Sequence, residues 1–187
     1  MEITADEMKK SIQKIYDMLE EVSPLDYDCG RLCGEICCVY DESGEHEAVG
    51  LFLLPGEELM YEGSDSFKLY AVDSKEVDFP PSWKEDVFMV ECINPPKCDR
   101  SIRPIQCRTF PLIAHISKDR KLHLILDENE IPYECPIMKD NIQLNDDFIK
   151  VTYKVWEILI QNPLVYDLVS FDSRRRDNRK KGYKIVI

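Results

Sequence analysis

Eight cysteines in a chain of 187 residues constrain this sequence more than any other feature. Four stand together in Cys29-Gly30-Arg31-Leu32-Cys33-Gly34-Glu35-Ile36-Cys37-Cys38, and the others are Cys92, Cys98, Cys107 and Cys135. In a secreted chain that number reads as four bridges, whereas in a reducing compartment it argues for metal ligation or redox chemistry. The opening Met1-Glu2-Ile3-Thr4-Ala5-Asp6-Glu7 is polar and acidic, with no basic region leading into an apolar one, so a cytoplasmic, reducing location is expected. No run approaches the roughly 20 apolar residues of a membrane span. A net charge of -12, from 36 acidic and 24 basic residues, opposes binding to nucleic acid or anionic lipid over most of the surface. The expected partners are therefore a metal ion or cluster and a protein, not a membrane or nucleic acid.

The spacing within the first block is informative. Steps of four place Cys29, Cys33 and Cys37 on one side of a helical turn, while Gly30 and Gly34 allow close backbone approach and present amides to an anionic cluster. Cys38 adjoins Cys37, and neighbouring side chains diverge, so it suits a second centre, a distorted fourth position or a redox role. Eight thiols are the number that two four-thiolate sites need. Thiolates select zinc or iron-sulfur clusters over magnesium or calcium. The C-x3-C spacings match a zinc knuckle loosely, and the crowded first block is closer to a cluster-binding loop. The radical-SAM pattern C-x3-C-x2-C is not met, because Ile36 occupies the position where the third cysteine would fall.

The rest of the chain predicts an α+β fold: a single compact domain over 1–187, with cysteine-rich metal-binding loops, a small antiparallel sheet and flanking helices. Met8, Ile12, Ile15, Met18 and Leu19 recur at helical spacing within Ala5 to Val22, and Ser23-Pro24 ends that helix. Glu47 to Leu54 reads as a buried strand, and Pro55-Gly56-Glu57-Glu58 as a turn opening a short helix. Phe67 to Val72 and Asp86 to Glu91 have strand character. Leu112 to Ser117 and Lys121 to Leu126 predict a hairpin that pairs Ala114 with Leu124 and Ile116 with Leu122 on the core side. Asn145-Asp146-Asp147 starts a helix running to Ile160, Pro163 to Val169 makes a short one, and Tyr183 to Ile187 a last strand.

The segment Cys29 to Cys38, the later Arg103-Pro104-Ile105-Gln106-Cys107-Arg108-Thr109-Phe110-Pro111 and the closing Cys135-Pro136 together resemble the cysteine-cluster domains described as zinc- or iron-chelating, with a CxxxCxxCC-type signature. The likeness spans Asp28 to Pro136. It implies metal chelation by Cys29, Cys33, Cys37, Cys38, Cys92, Cys98, Cys107 and Cys135. One branch is similar to flagellin lysine N-methylases, in which this region is linked to an iron-sulfur centre. Here three residues rather than two precede the paired cysteines and no further catalytic domain is evident, a departure that bears on methylase activity and not on chelation.

Other residues have plainer readings beside functional ones. His115 and His123 should face each other across the hairpin, as ordinary surface residues or as a metal or proton-transfer pair. Arg103 and Arg108 either donate to sulfur and tune a metal centre or pair with carboxylates. Asp41-Glu42, Glu57-Glu58 and Glu62 either supply a carboxylate pair for acid-base work or, as expected in a chain this acidic, belong to a solvated face. Tyr27, Tyr40 and Phe110 either shield a centre from water or pack in the core. Arg174 to Lys181 holds six basic residues in eight, a local reversal of charge that either folds onto the acidic body or marks a partner site. The leading expectation is a cytoplasmic metal-binding protein holding an iron-sulfur cluster or zinc, with a redox, metal-handling or structural role. The alternatives are a protein-modifying enzyme with a catalytic metal centre, lysine N-methylase-like or an oxidoreductase, and an adaptor that binds an acidic protein or RNA through residues 174–181.

Overall fold

A computed structural model of the chain describes residues 4–39, 50–98 and 100–187. Helix α1, Ala5–Glu20, opens on a capping box: the Glu7 amide donates to Thr4 Oγ1 at 3.3 Å, and the Thr4 amide donates to the Glu7 carboxylate at 2.9 Å. Such a cap stabilises a helix by about 1 kcal/mol. The helix buries Ile12, Ile15, Tyr16 and Leu19, the expected stripe with a tyrosine added. Two single-turn helices follow, α2 (Gly30–Cys33) and α3 (Ile36–Val39). Strand β1 (Gly50–Phe52), a 3₁₀ turn at Glu57–Met60, β2 (Phe67–Val72) and β3 (Val87–Cys92) come next. Then α4 (Ile105–Thr109) leads into the hairpin β4 (Ile113–Ile116) and β5 (Leu122–Leu126). The chain closes with α5 (Pro136–Lys139), α6 (Asp146–Leu159), α7 (Pro163–Asp177) and β6 (Lys184–Ile185).

The result is an α+β fold with two antiparallel three-stranded sheets, ordered β1-β3-β2 and β4-β5-β6, in place of the one small sheet expected. The hairpin register is the predicted one, with Ala114 opposite Leu124 and Ile116 opposite Leu122. Its core face packs with α1 and α6 in the larger apolar cluster, which includes Leu19, Leu124, Phe148 and Val155. A smaller cluster of Leu53, Tyr61, Phe67 and Val90 lies under the first sheet. The strand expected over Glu47 to Leu54 is short and only partly buried at Gly50–Phe52; the burial falls on Leu53 and Leu54 just beyond it. Asp41, Glu42 and positions 47–49 lie outside the described residues.

Glu57 departs most from expectation. It belongs to no solvated face: its carboxyl is wholly buried. Oε2 accepts from the Leu54 amide at 3.1 Å, and Oε1 accepts from the Ile105 amide at 2.7 Å and from the Tyr16 hydroxyl at 2.8 Å. Tyr16 and Tyr61 hydroxyls are 2.8 Å apart, and Tyr61 donates to the Ile102 carbonyl at 3.0 Å. Burial, the largest influence on the Glu57 carboxyl, pushes its pKa up against the amide and phenol hydrogen bonds that favour its ionised form.

Helix α7 runs to Asp177 instead of stopping at Val169, because its second half buries polar side chains. Ser173 Oγ accepts from the Ile116 amide at 2.8 Å and Arg176 donates to the Ala114 carbonyl at 3.2 Å, so the helix occupies the free edge of β4. The basic segment folds onto the acidic body: Arg175 pairs with Asp78, Arg176 with Glu130, and Arg179 with both Asp127 and Glu130. His115 does sit opposite His123, yet it is buried and not a surface residue. Its Nε2 is 2.9 Å from the Tyr183 hydroxyl, which donates to Asp177, and its Nδ1 has no partner. That pattern fits a neutral ring with its proton on Nε2. Burial first, against the pull of Asp177, holds the imidazole below its ordinary 6.5.

Two predictions of opposite sign follow from these buried groups. Glu57→Ala strands the amides of Leu54 and Ile105 and should cost about 3 kcal/mol in urea unfolding. Because the folded pKa of Glu57 lies above its unfolded value, its contribution is full at acid pH and is lost as pH rises through the folded pKa. Glu57→Gln should remove that slope. His115 is depressed on folding, so its contribution is present at neutral pH and lost as pH falls below 6.5. Unfolding measured from neutral pH down to mildly acidic pH should show that loss, and His115→Gln should flatten it; an unchanged slope would contradict the assignment.

Candidate metal centre

Backbone geometry at the first block explains its glycines. Gly34 closes α2 in the left-handed region at φ 65°, its amide donating to the Gly30 carbonyl, and Glu35 follows at φ 61°. These two residues turn the chain between α2 and α3. A Cβ on Gly30 would stand 2.5 Å from Glu35 Cγ, so glycine there leaves room for that side chain. Cys29 and Cys33 bracket α2, and Cys37 and Cys38 lie on α3 with their sulfurs 3.9 Å apart.

The second block comes from three different elements. Cys92 ends β3, Cys98 sits in the turn after Pro96, and Cys107 lies in α4, whose start Pro104 fixes by its preset φ. Cys92 and Cys98 pack against the smaller apolar cluster, while Cys29 and the buried Cys135 belong with the larger one. Cys135 precedes Pro136 at the start of α5, where the amides of Ile137 and Met138 face its sulfur. All eight cysteines are free thiols.

Electrostatic influence sorts the thiols into two sets. Cys107 is exposed on α4, yet loss of hydration, followed by the charges of Cys38, Cys92 and Cys98, pushes its pKa up. Cys92 is pushed up to about 11 by burial first, then by Cys98 and Cys38. Arg103 acts on all four: its Nε donates to Cys98 Sγ at 3.2 Å, and its charge is felt by Cys38, Cys92 and Cys107. In the other set, Cys29 is raised by burial and then by Asp28, Cys135 and Cys33, while Cys135 is raised by burial and then by Cys33. Cys37 is raised mainly through its hydrogen bond with Cys38, and feels both Cys29 and Cys107 from between the sets. Cys38 is lowered to about 7, by the Cys37 hydrogen bond first and then by Arg103 against its own burial.

Arg103 and Arg108 therefore divide the two expectations made for them. Arg103 serves a sulfur; Arg108 is buried against the Glu20 carboxylate at 2.8 Å, lies over the Tyr16 ring and donates to the Arg103 carbonyl. Tyr133, two residues before Cys135, went unnoticed in the sequence. Burial and then Cys37, Cys135, Cys107 and Cys38 push its phenol up, and its ring packs beside Phe110. Tyr27 is exposed, and Tyr40 lies outside the described residues. Two surface clefts lie away from the cysteines, one lined by Glu21, Asp26 and Asp146, the other by His123, Tyr153 and Glu157.

Among the described residues, no three His, Cys, Asp or Glu side chains stand close enough to share a metal ion as placed. The chemistry of the donors nonetheless fits a soft metal: eight unbridged thiols, most of them in or beside short helices and turns, with a guanidinium donating to one sulfur. Binding would need side-chain rotation within those turns, and α2 and α3 hold little that resists it, since Gly30 is the only residue of the two that is buried. Compared with protein-family models, curated proteins and solved structures, the chain matches none. The resemblance drawn from its cysteine blocks thus stands on those residues alone.

Arg103→Gln removes the fixed positive charge beside Cys38 and Cys98. Alkylation of Cys38 by iodoacetamide at neutral pH, followed by peptide mass spectrometry, should slow several-fold; an unchanged rate would show that the guanidinium does not act on that sulfur.

Proposed function

We propose that this chain is a metal-binding protein whose thiolates hold zinc or an iron-sulfur cluster in two sets, Cys38, Cys92, Cys98 and Cys107 around Arg103, and Cys29, Cys33, Cys37 and Cys135. The observation that carries the reading is the Arg103 side chain donating to Cys98 Sγ, with its charge also acting on Cys38, Cys92 and Cys107. A cation placed there serves to neutralise an anionic thiolate centre. When bound, zinc would crosslink the blocks, and a cluster would add one-electron chemistry. This chain's own residues gather the donors from separate elements, orient one sulfur through Arg103 and limit water through the packing around Tyr133. A reducing, cytoplasmic setting accords with eight free thiols. No helix among the described residues is long and apolar enough to cross a membrane.

Elemental analysis of protein purified without oxygen tests the reading. Stoichiometric zinc, or iron with matching sulfide, is expected. Protein that keeps its fold, presents eight reactive thiols and takes up neither metal would overturn it. The double substitution Cys98→Ser with Cys107→Ser should remove about half of the metal and leave the other set loaded, and Arg103→Met should weaken binding about 10–100-fold in competition with a chelator.

A further inference from the structure

Cys37 and Cys38 are the one pair of thiols in mutual hydrogen-bond contact among the described residues, with sulfurs 3.9 Å apart. Both are half-buried, so a small reagent can reach them. Their helix α3 is a single turn with no buried residue, and Val39 at its end is exposed. Nothing in the core resists its opening. Each thiol also falls in a different one of the two sets.

We propose that Cys37 and Cys38 form a reversible oxidation site that reacts with small disulfides of the glutathione class. The Cys38 thiolate attacks one sulfur of the small disulfide, forming a mixed disulfide and expelling one thiolate. The Cys37 sulfur, its proton passing to solvent, then attacks the Cys38 sulfur and expels the second. One Cys37–Cys38 bond forms, one small disulfide is reduced to two thiols, and two electrons leave the protein. Adjacent cysteines close an eight-membered ring that helical backbone does not accommodate, and their Cα atoms lie closer together than in ordinary disulfides. Oxidation therefore unwinds α3. In the metal-bound protein it withdraws one donor from each set at once, a consequence that rests on the metal-binding reading; the reaction itself does not.

The test starts from metal-free, reduced protein exposed to oxidised glutathione without oxygen, then digested by a glutamate-specific protease. Cleavage after Glu35 and Glu42 isolates residues 36–42, whose only cysteines are Cys37 and Cys38. The peptide should become lighter by two hydrogen atoms, return to its original mass with dithiothreitol and, in Cys37→Ser, retain glutathione on Cys38. A peptide that stays reduced, carries two glutathiones or is crosslinked to another cysteine peptide overturns the site. The second arm treats zinc- or iron-loaded protein in the same way. Metal release in step with the mass change supports the coupling, and a formed disulfide with metal retained overturns it. Failure of the reduced protein to bind either metal would refute the metal-binding reading while leaving the peptide result intact.

Discussion

The buried Glu57 carboxyl ties together parts of the chain that are distant in sequence. It accepts from Tyr16 on α1, from Leu54 at the end of the first sheet's edge strand, and from Ile105 at the start of α4. Tyr61 extends the same row to the Ile102 carbonyl. The segment between these two anchored points contains Arg103 and leads directly to Cys107, so this buried group helps to fix where both stand. Burying a carboxyl group is costly, and the hydrogen bonds from Leu54, Ile105 and Tyr16 offset that cost.

Around this anchor the molecule divides its labour. The apolar clusters form from α1, α6, the hairpin and the first sheet, and the cysteines occupy short turns between these elements. Cys29 and Cys135 touch the larger cluster while Cys92 and Cys98 touch the smaller, so the two thiol sets hang from two different cores. Metal bound by each set would fasten the cysteine segments to the core beside them, which is a reason for metal binding and folding to be coupled. The C-terminal region closes the opposite side: α7 satisfies the open edge of β4, and Arg175, Arg176 and Arg179 answer Asp78, Asp127 and Glu130. The local charge reversal thereby has an internal partner.

Much of this was legible in the sequence wherever apolar periodicity governed. Helices α1 and α6 and the register of β4 with β5 follow from Ile12, Leu19, Phe148, Val155, Ala114 and Leu124. What escaped was polar burial. Glu57 reads as one of many surface carboxylates until Tyr16, Leu54 and Ile105 are brought around it, and these are distant in sequence. Helix α7 reads as ending at Val169 because Ser170, Ser173 and Arg176 bury for hydrogen bonding rather than for apolar area. His115 was placed opposite His123, but the cover supplied by Tyr183 and Asp177 lies more than sixty residues away. At the site, the divergence expected of adjacent side chains is not seen, since the Cys37 and Cys38 sulfurs lie 3.9 Å apart, and the common influence of Arg103 on Cys38, Cys92, Cys98 and Cys107 needed the tertiary fold.

The central claim is that cysteine sulfur alone surrounds the bound metal. X-ray absorption at the zinc or iron edge of the purified protein tests it most directly. The account predicts a first shell of sulfur at about 2.3 Å, four sulfurs to each zinc, with no nitrogen or oxygen component. A shell dominated by nitrogen or oxygen would contradict it, because the metal would then be held by histidine, carboxylate or water and not by the thiols that the fold gathers.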